Sequence, residues 1–202
     1  KYVKPHPAWQ PCRTSHAAPQ NNLVSIPAAD FRMGRERNDP RYGWDNEFGH
    51  HDASTAAFQA SRYLVSNQEF LAFVEAGCYA DDSLWQEEGL GWKTFAKAEH
   101  PTFWIKDGTQ WRLRLMLEEV AMPWDWPVET NYHEAKAFCQ WKSRVSGEPV
   151  RLPSEDEWQA LCRFAGIDEQ PAANLQLDHY ASSCPVSEFA HGPLFDVIGN
   201  VW

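Results

Sequence analysis

Metal-binding side chains are plentiful in this 202-residue chain, but their spacing does not build a metal site. The sequence contains eight histidines and five cysteines. Neutral imidazole is a suitable ligand for iron, and three ligands on one face of the ion leave its other coordination positions open for reactants. No two histidines stand four residues apart, the spacing that places two side chains on one helix face. His50 and His51 are adjacent and would point apart, and no Cys-x-x-Cys pair indicates zinc. We therefore assign no metal ligand to this chain.

A loop with two tryptophans and one carboxylate is the first candidate for substrate binding. Trp124, Asp125 and Trp126 lie between two prolines. Asp125 is suited to bind a substrate ammonium group or an arginine of a neighbouring domain, and Trp126 would supply an aromatic wall. The alternative is that Asp125 only caps a turn, as aspartate frequently does. Both interpretations remain open at the level of the sequence.

The composition limits the partners of the chain. It has 18 basic and 28 acidic residues, a formal net charge of −10, which argues against a nucleic-acid backbone as partner. No apolar run reaches the roughly 18 to 20 residues of a membrane helix, and irregularly spaced cysteines favour free thiols in a reducing compartment. We therefore expect no nucleic acid, no membrane and a cytoplasmic location.

Three helices are predicted by the same capping signal. A Ser or Asn stands three residues before a Glu, so that each side chain can bond the other residue's backbone amide. Apolar residues then follow at spacings of three to four, and in the third helix they begin with Trp158, which we expect to be buried. The helices should begin after Ser66, Asn131 and Ser154, and end at Gly77, Gly147 and Gly166.

The remaining elements predict an α+β fold with long loops. Leu23–Ile26 and Phe31–Met33 are expected to form a hairpin, and Phe58–Val65 another strand. Residues 35–56 are polar and rich in turn-forming residues, and residues 77–130 and 167–202 show little periodicity. Eleven tryptophans, many beside Gly, Pro or Asp, indicate irregular segments anchored by large aromatic rings. Residues 1–21 are rich in proline and are predicted to be a linker or the end of an upstream domain, with the main domain at 22–202.

Several motifs occur in an order that carries a resemblance to a known family. They are Asp45-Asn-Glu47, Val65-Ser-Asn-Gln-Glu-Phe70, Arg151-Leu-Pro-Ser-Glu-Asp-Glu-Trp158 and Gly199-Asn-Val-Trp202. Together they resemble the formylglycine-generating-enzyme-like, or sulfatase-modifying-factor, domain. The resemblance implies a C-type-lectin-like α+β fold with little regular secondary structure. In that family the last motif continues beyond Trp202, so we expect a fragment that is incomplete at its C-terminus.

Further details are most similar to the central domain of the 5-histidylcysteine sulfoxide synthases of ovothiol biosynthesis. The segments that carry this similarity are His6-Pro-Ala-Trp-Gln-Pro-Cys12, Tyr42-Gly-Trp-Asp-Asn-Glu47, Ala60-Ser-Arg-Tyr-Leu-Val-Ser-Asn67, Met122-Pro-Trp-Asp-Trp-Pro-Val128, Asn131-Tyr-His-Glu-Ala-Lys-Ala-Phe-Cys139 and Ala181-Ser-Ser-Cys-Pro-Val186. The resemblance implies a non-haem iron(II) oxidoreductase that uses O2 to join the cysteine sulfur to a histidine imidazole carbon, leaving a sulfoxide. The ergothioneine-type sulfoxide synthases share the architecture and are an alternative.

The same resemblance implies where the active-site groups lie. The iron ligands are expected in an upstream four-helix domain with a His-x-x-x-His-x-Glu motif, and a catalytic tyrosine beyond Trp202, so that the chain alone would be inactive. A methyltransferase domain often follows. Asn200 would hydrogen-bond a substrate amino acid and Trp202 would wall the pocket, unless both only hold the core together. Asn174 and Asp178 occupy the place of a structural calcium, a minor alternative here because the loop is short.

Two other functions remain open. One is a formylglycine-generating oxidase, which uses copper held by two cysteines late in the domain, and no such pair is visible here. The other is a lectin-like binding or structural module, because one fold hosts many functions. Failure of the full-length protein to bind iron or cysteine, together with tight binding to a protein or a glycan, would favour the binding module.

Overall fold

A long antiparallel ribbon forms the first part of the fold. The computed structural model describes residues 6–167 and 171–201. The ribbon consists of the four strands β1 (Leu23–Ile26), β2 (Ala29–Arg35), β3 (Gly49–Thr55) and β4 (Phe58–Ser61), in which β1 pairs with β4 and β2 with β3.

The predicted hairpin of Leu23–Ile26 with Phe31–Met33 is wrong. Ile26 faces Phe58 and Ala29 faces Thr55, so the pairing runs in one register across the interruption at Pro27. Proline has no amide proton for a ladder bond and breaks the strand without reversing it. The partner strand β3 escaped the sequence pattern because most of its side chains are exposed, so no apolar alternation marks it.

The three predicted helices are confirmed. They are α1 (Asn67–Glu75), α3 (Tyr132–Ser146) and α4 (Glu155–Phe164), and each begins directly after its predicted cap. Asn131 and Ser154 form complete reciprocal capping boxes. Ser66 accepts the bond from the Glu69 amide. The Glu69 carboxylate binds Asn21 and Lys142 instead, and so ties three parts of the chain together.

A fourth helix and a small sheet occupy the segment that was expected to be irregular. Helix α2 (Glu87–Ala96) begins without a side-chain cap bond and contains two glycines, so no sequence signal marks it. Gly89 lies against α3, where a β-carbon would meet His133 at 3.4 Å. Three short strands follow and pair in sequence order: β5 (Trp104–Asp107), β6 (Gln110–Arg114) and β7 (Glu119–Ala121). The strands β8 (Ala190–His191) and β9 (Leu194–Phe195) form the last hairpin.

Aromatic rings fill the core between α1, α2 and α3. Phe70, Phe73 and Phe138 pack with ring centroids 5.1 to 5.9 Å apart and are almost fully buried. Trp158, which we expected in the core, is 39% exposed because α4 buries only Ala160. Its indole instead donates a hydrogen bond to the Val197 carbonyl, 3.0 Å away. The predicted α+β class is confirmed. No helix in the described ranges is long and apolar enough to cross a membrane.

Candidate functional site

Asp125 and Trp126 hold the N-terminal segment against the domain. Asp125 is 1% exposed, and its carboxylate accepts hydrogen bonds from the Ser15 hydroxyl at 2.6 Å and the His16 amide at 2.8 Å. The Trp126 indole donates to the Thr14 carbonyl at 2.8 Å. A substrate could reach these groups only if residues 14–16 moved away. Substrate binding by Asp125 and Trp126 therefore stays a prediction, as does the domain boundary at residue 22.

Asn200 lies at the centre of a buried hydrogen-bond network. Its side-chain oxygen accepts from the Cys184 amide at 2.8 Å and from the Asn174 amide group at 3.2 Å. Its side-chain nitrogen donates to the Cys184 carbonyl at 3.1 Å and to Asp196 at 2.9 Å. These bonds use both ends of the amide and hold the backbone of Asn200 at a φ of 66°. Binding of a substrate by Asn200 stays a prediction, and Trp202 lies outside the described residues.

The backbone beside Asn200 passes very close to Asn174. The Asn200 amide donates to the Asn174 carbonyl at 3.0 Å. Gly199 has a φ of 80°, and a β-carbon there would stand 2.9 Å from the same carbonyl oxygen. Only glycine combines this positive φ with the available space. The Asn174 side-chain nitrogen donates a hydrogen bond to the Ser182 carbonyl, and its side-chain oxygen accepts one from the Tyr180 amide. A calcium ion at this place stays a prediction.

Asp196 was not identified from the sequence, although it belongs to the same network. It is 3% exposed, and burial raises its pKa to about 7, partly opposed by the hydrogen bond from Asn200. Its second carboxylate oxygen is buried and has no hydrogen-bond partner among the described residues. Asp196 directly follows a short hairpin and has a left-handed backbone with a φ of 46°. Nothing in the neighbouring sequence indicates that its side chain is buried. Its environment comes from the tertiary structure.

The thiol of Cys184 and the imidazole of His191 complete this region. Cys184 is fully buried, and burial is the main reason that its pKa is raised, so it is a neutral thiol and a poor nucleophile. One ring nitrogen of His191 lies 3.0 Å from the Ala172 carbonyl, and the other is buried without a partner among the described residues. Neither residue was a candidate from the sequence, because each stands alone in its segment.

The histidines do not converge. His50 lies on the exposed strand β3 and contacts Glu36, whereas His133 lies in α3 and stacks on Trp92. Within residues 6–167 and 171–201, no group of three His, Cys, Asp or Glu side chains is close enough to hold a metal ion. The residues of this chain that the structure describes do not by themselves fit an iron centre.

Comparison with known proteins identifies the family. The model of the sulfatase-modifying factor enzyme 1-like domain matches residues 11–202. The chain belongs to this family. The family-level resemblance and the formylglycine-generating-enzyme-like fold are thereby confirmed.

The relatives of the chain include two kinds of enzyme. A hercynine oxygenase from Mycolicibacterium thermoresistibile is 34% identical over 135 residues, which cover 66% of this chain and 28% of that protein. A formylglycine-generating enzyme from Thermomonospora curvata is 28% identical over 226 residues, covering 89% of this chain and 69% of that enzyme. The chain thus spans less than a third of the length of the first relative.

A solved structure supports the fold. PvdO from Pseudomonas aeruginosa superposes with a TM-score of 0.58 at 21% identity, covering 87% of this chain and 66% of that one. At this identity the likeness concerns the fold alone.

Proposed function

We propose that this chain is the substrate-side domain of a non-haem iron(II), O2-dependent sulfoxide synthase. The enzyme would join the sulfur of cysteine to an imidazole carbon of histidine, as in ovothiol biosynthesis. The observation that carries the proposal is the 34% identity to a hercynine oxygenase, together with the segments at 6–12 and 122–128 that resemble the ovothiol branch. A cytoplasmic location and a following methyltransferase domain are part of the same expectation.

The structure supports a positioning role for the loop at 122–128 and for the segment around Asn200. Asp125 joins the loop at 122–128 to residues 15 and 16 through two short hydrogen bonds. Asn200 holds the end of the described chain in a left-handed conformation. We propose that the Asp125 contacts and the Asn200 hydrogen bonds position the surfaces that bind substrate. Asn200, Trp202, Asp125 and Trp126 would lie at or beside the pocket.

Iron would supply oxygen activation, and we propose that its ligands come from an upstream four-helix domain of the same polypeptide. The described residues hold no set of ligands for it, so no step of the reaction is assigned to them through the metal. It follows from this proposal that residues 1–202 alone would be inactive, and that the catalytic tyrosine would follow Trp202.

The second candidate is a formylglycine-generating oxidase. The similarity to the Thermomonospora enzyme favours it, because that match extends over 89% of this chain and 69% of the enzyme. Such an enzyme would oxidise a cysteine within a peptide and would need no histidine. An ergothioneine-type synthase is a variant of the first proposal, with hercynine in place of histidine.

A single substrate test separates these functions. The full-length protein, loaded with Fe(II) or separately with copper, is incubated with cysteine and histidine, with cysteine and hercynine, or with a cysteine-containing peptide, under isotopically labelled O2. We expect a cysteine–histidine conjugate whose sulfoxide oxygen carries the label. A conjugate only with hercynine would indicate the ergothioneine branch. Conversion of the peptide alone would refute the sulfoxide synthase and support the oxidase.

A further inference from the structure

An exposed apolar turn lies at the tip of the hairpin formed by β6 and β7. This hairpin tip (residues 115–118) is closed by the Leu115 amide, which donates to the Glu118 carbonyl at 2.8 Å. Such turns usually carry Gly, Pro, Asn, Asp or Ser. Here the two central residues are Met116, which is 61% exposed, and Leu117, which is 51% exposed. Both side chains lie largely in solvent, at positions where the turn does not require apolar residues.

The N-terminal segment adds to this surface. Residues 9–16, the N-terminal strap, pass beside the hairpin tip, and Pro11 lines one crevice with Met116 and Leu117. Trp9, two residues before Pro11, is 38% exposed. The crevice has a volume of about 10 Å³, which is room for at most one water molecule. We call these four side chains the apolar patch, which is a surface and not a ligand pocket.

Polar contacts hold the two parts of the apolar patch in a fixed arrangement. Arg13 donates two hydrogen bonds to the Glu118 carboxylate, at 2.7 and 2.9 Å, and so joins the strap to the hairpin tip. A paired contact of this kind fixes geometry as well as adding energy. One residue earlier, the Cys12 amide donates to the Ser182 hydroxyl at 2.9 Å. A surface that is already ordered loses little conformational entropy when a partner docks on it.

We propose that the apolar patch is the surface on which the upstream domain of the same polypeptide docks. The inference rests on the proposed function, which includes a four-helix domain before this one. The hercynine oxygenase relative is long enough for such a domain, because this chain covers only 28% of it. The Trp9 amide donates to the His6 carbonyl at 2.9 Å, so the polypeptide enters the strap directly beside the patch.

The size of the patch favours a tethered partner over a separate molecule. A stable complex of two free proteins buries roughly 600 Å² or more on each side, and four partly exposed side chains offer much less. A partner that is linked to the strap needs no such area, because a short connection raises its effective concentration to about the millimolar range. The patch itself carries no charge, so the apolar face of an amphipathic helix is the partner that it fits.

Photo-crosslinking in the full-length protein identifies what covers the patch. Met116 is replaced by the photoreactive residue benzoyl-phenylalanine, the purified protein is irradiated, and mass spectrometry maps the attached peptide. We expect an intramolecular crosslink to a peptide that precedes residue 1. The matched control is the same replacement of Phe95, which is 90% exposed on α2 and should give no crosslink to that domain. A crosslink between two copies would indicate self-association, and either this result or the absence of any crosslink would overturn the proposal.

A charged substitution measures how much the patch contributes to docking. Met116→Asp should make hydrogen exchange in the crosslinked upstream segment about tenfold faster, because burying a largely exposed methionine changes a docking equilibrium by about this factor. Phe95→Asp is the control and should leave this exchange unchanged. A melting curve of each variant checks that the domain remains folded. Equal exchange rates in Met116→Asp and in the unmodified protein would contradict docking at this surface.

The failure of this proposal and the failure of the proposed function give different results. The crosslink is measured without substrate and does not depend on catalysis. A protein that forms the upstream crosslink but no sulfoxide would keep the docking surface and refute the proposed function. A protein that forms the sulfoxide but no upstream crosslink would keep the function and refute the docking surface.

Discussion

Replacing Asp196 by Asn should change how the stability of the protein depends on pH. The pKa of Asp196 rises from 3.8 to about 7 on folding, chiefly because the carboxyl is buried. A raised pKa means that the folded protein favours the neutral acid. The stabilisation from this proton is complete below pH 3.8, is lost as the pH rises from about 4 to 7, and does not change further above 7.

The size of the effect follows from the shift. Three pKa units at 1.36 kcal/mol each give about 4 kcal/mol as an upper value. The asparagine side chain of the variant would not titrate, and its oxygen can still accept the bond from Asn200. Its new amide group would lack a partner, at a cost of about 1–3 kcal/mol at every pH. The variant should therefore be less stable than the unmodified protein at pH 4 and equal to it or more stable at pH 8.

Urea unfolding at several pH values measures this crossover. The difference in the free energy of unfolding between the variant and the unmodified protein should change by about 4 kcal/mol between pH 4 and pH 8. This change does not depend on the cost of the unpaired amide group, which is the same at every pH. The exposed Asp107→Asn removes the same charge from the end of β5 and serves as control. If Asp196→Asn lowers the free energy of unfolding equally at both ends of the range, the second carboxylate oxygen has a partner outside the described residues, and the reasoning fails.

Three further substitutions test individual contacts. Lys97 ends α2 with a φ of 49°, so Lys97→Gly should raise the free energy of unfolding by about 1 kcal/mol, measured as a higher Tm. Gly199→Ala should lower it by about 2 kcal/mol or more, because the φ of 80° is strained for alanine and the β-carbon meets Asn174; an unchanged Tm would contradict this. Asp125→Ala should cost about 2 kcal/mol by leaving the Ser15 hydroxyl and the amide that follows it without their charged acceptor. Limited proteolysis should then cleave near Ser15 first.

Local signals in the sequence were sufficient for the helices that carry caps. The bonds at Asn131 and Ser154 join residues three apart, so a short pattern contains all the information that is needed. Helix α2 and strand β3 were missed for the opposite reason. The first has glycines and no side-chain cap, and the second is mostly exposed, so neither has a marked apolar period.

The candidate site was only partly predictable. Asn200 and Asp125 were named from their motifs, but the sequence left open whether they bind substrate or hold the structure together. The structure gives both a full set of internal partners. Asp196 was overlooked, because nothing in a hairpin of two-residue strands indicates that the next carboxyl is 3% exposed.

The sequence by itself determined the family, the α+β class and the start of three helices, because motifs and caps are contacts between near neighbours. Only the tertiary structure decided the partners of the buried polar groups. Asp125 binds Ser15 across 110 residues and Tyr79 binds Glu134 across 55. Pairs so distant leave no local pattern, since their meeting depends on how the whole chain packs. The raised pKa of Asp196 has the same origin, because burial is a property of the folded chain.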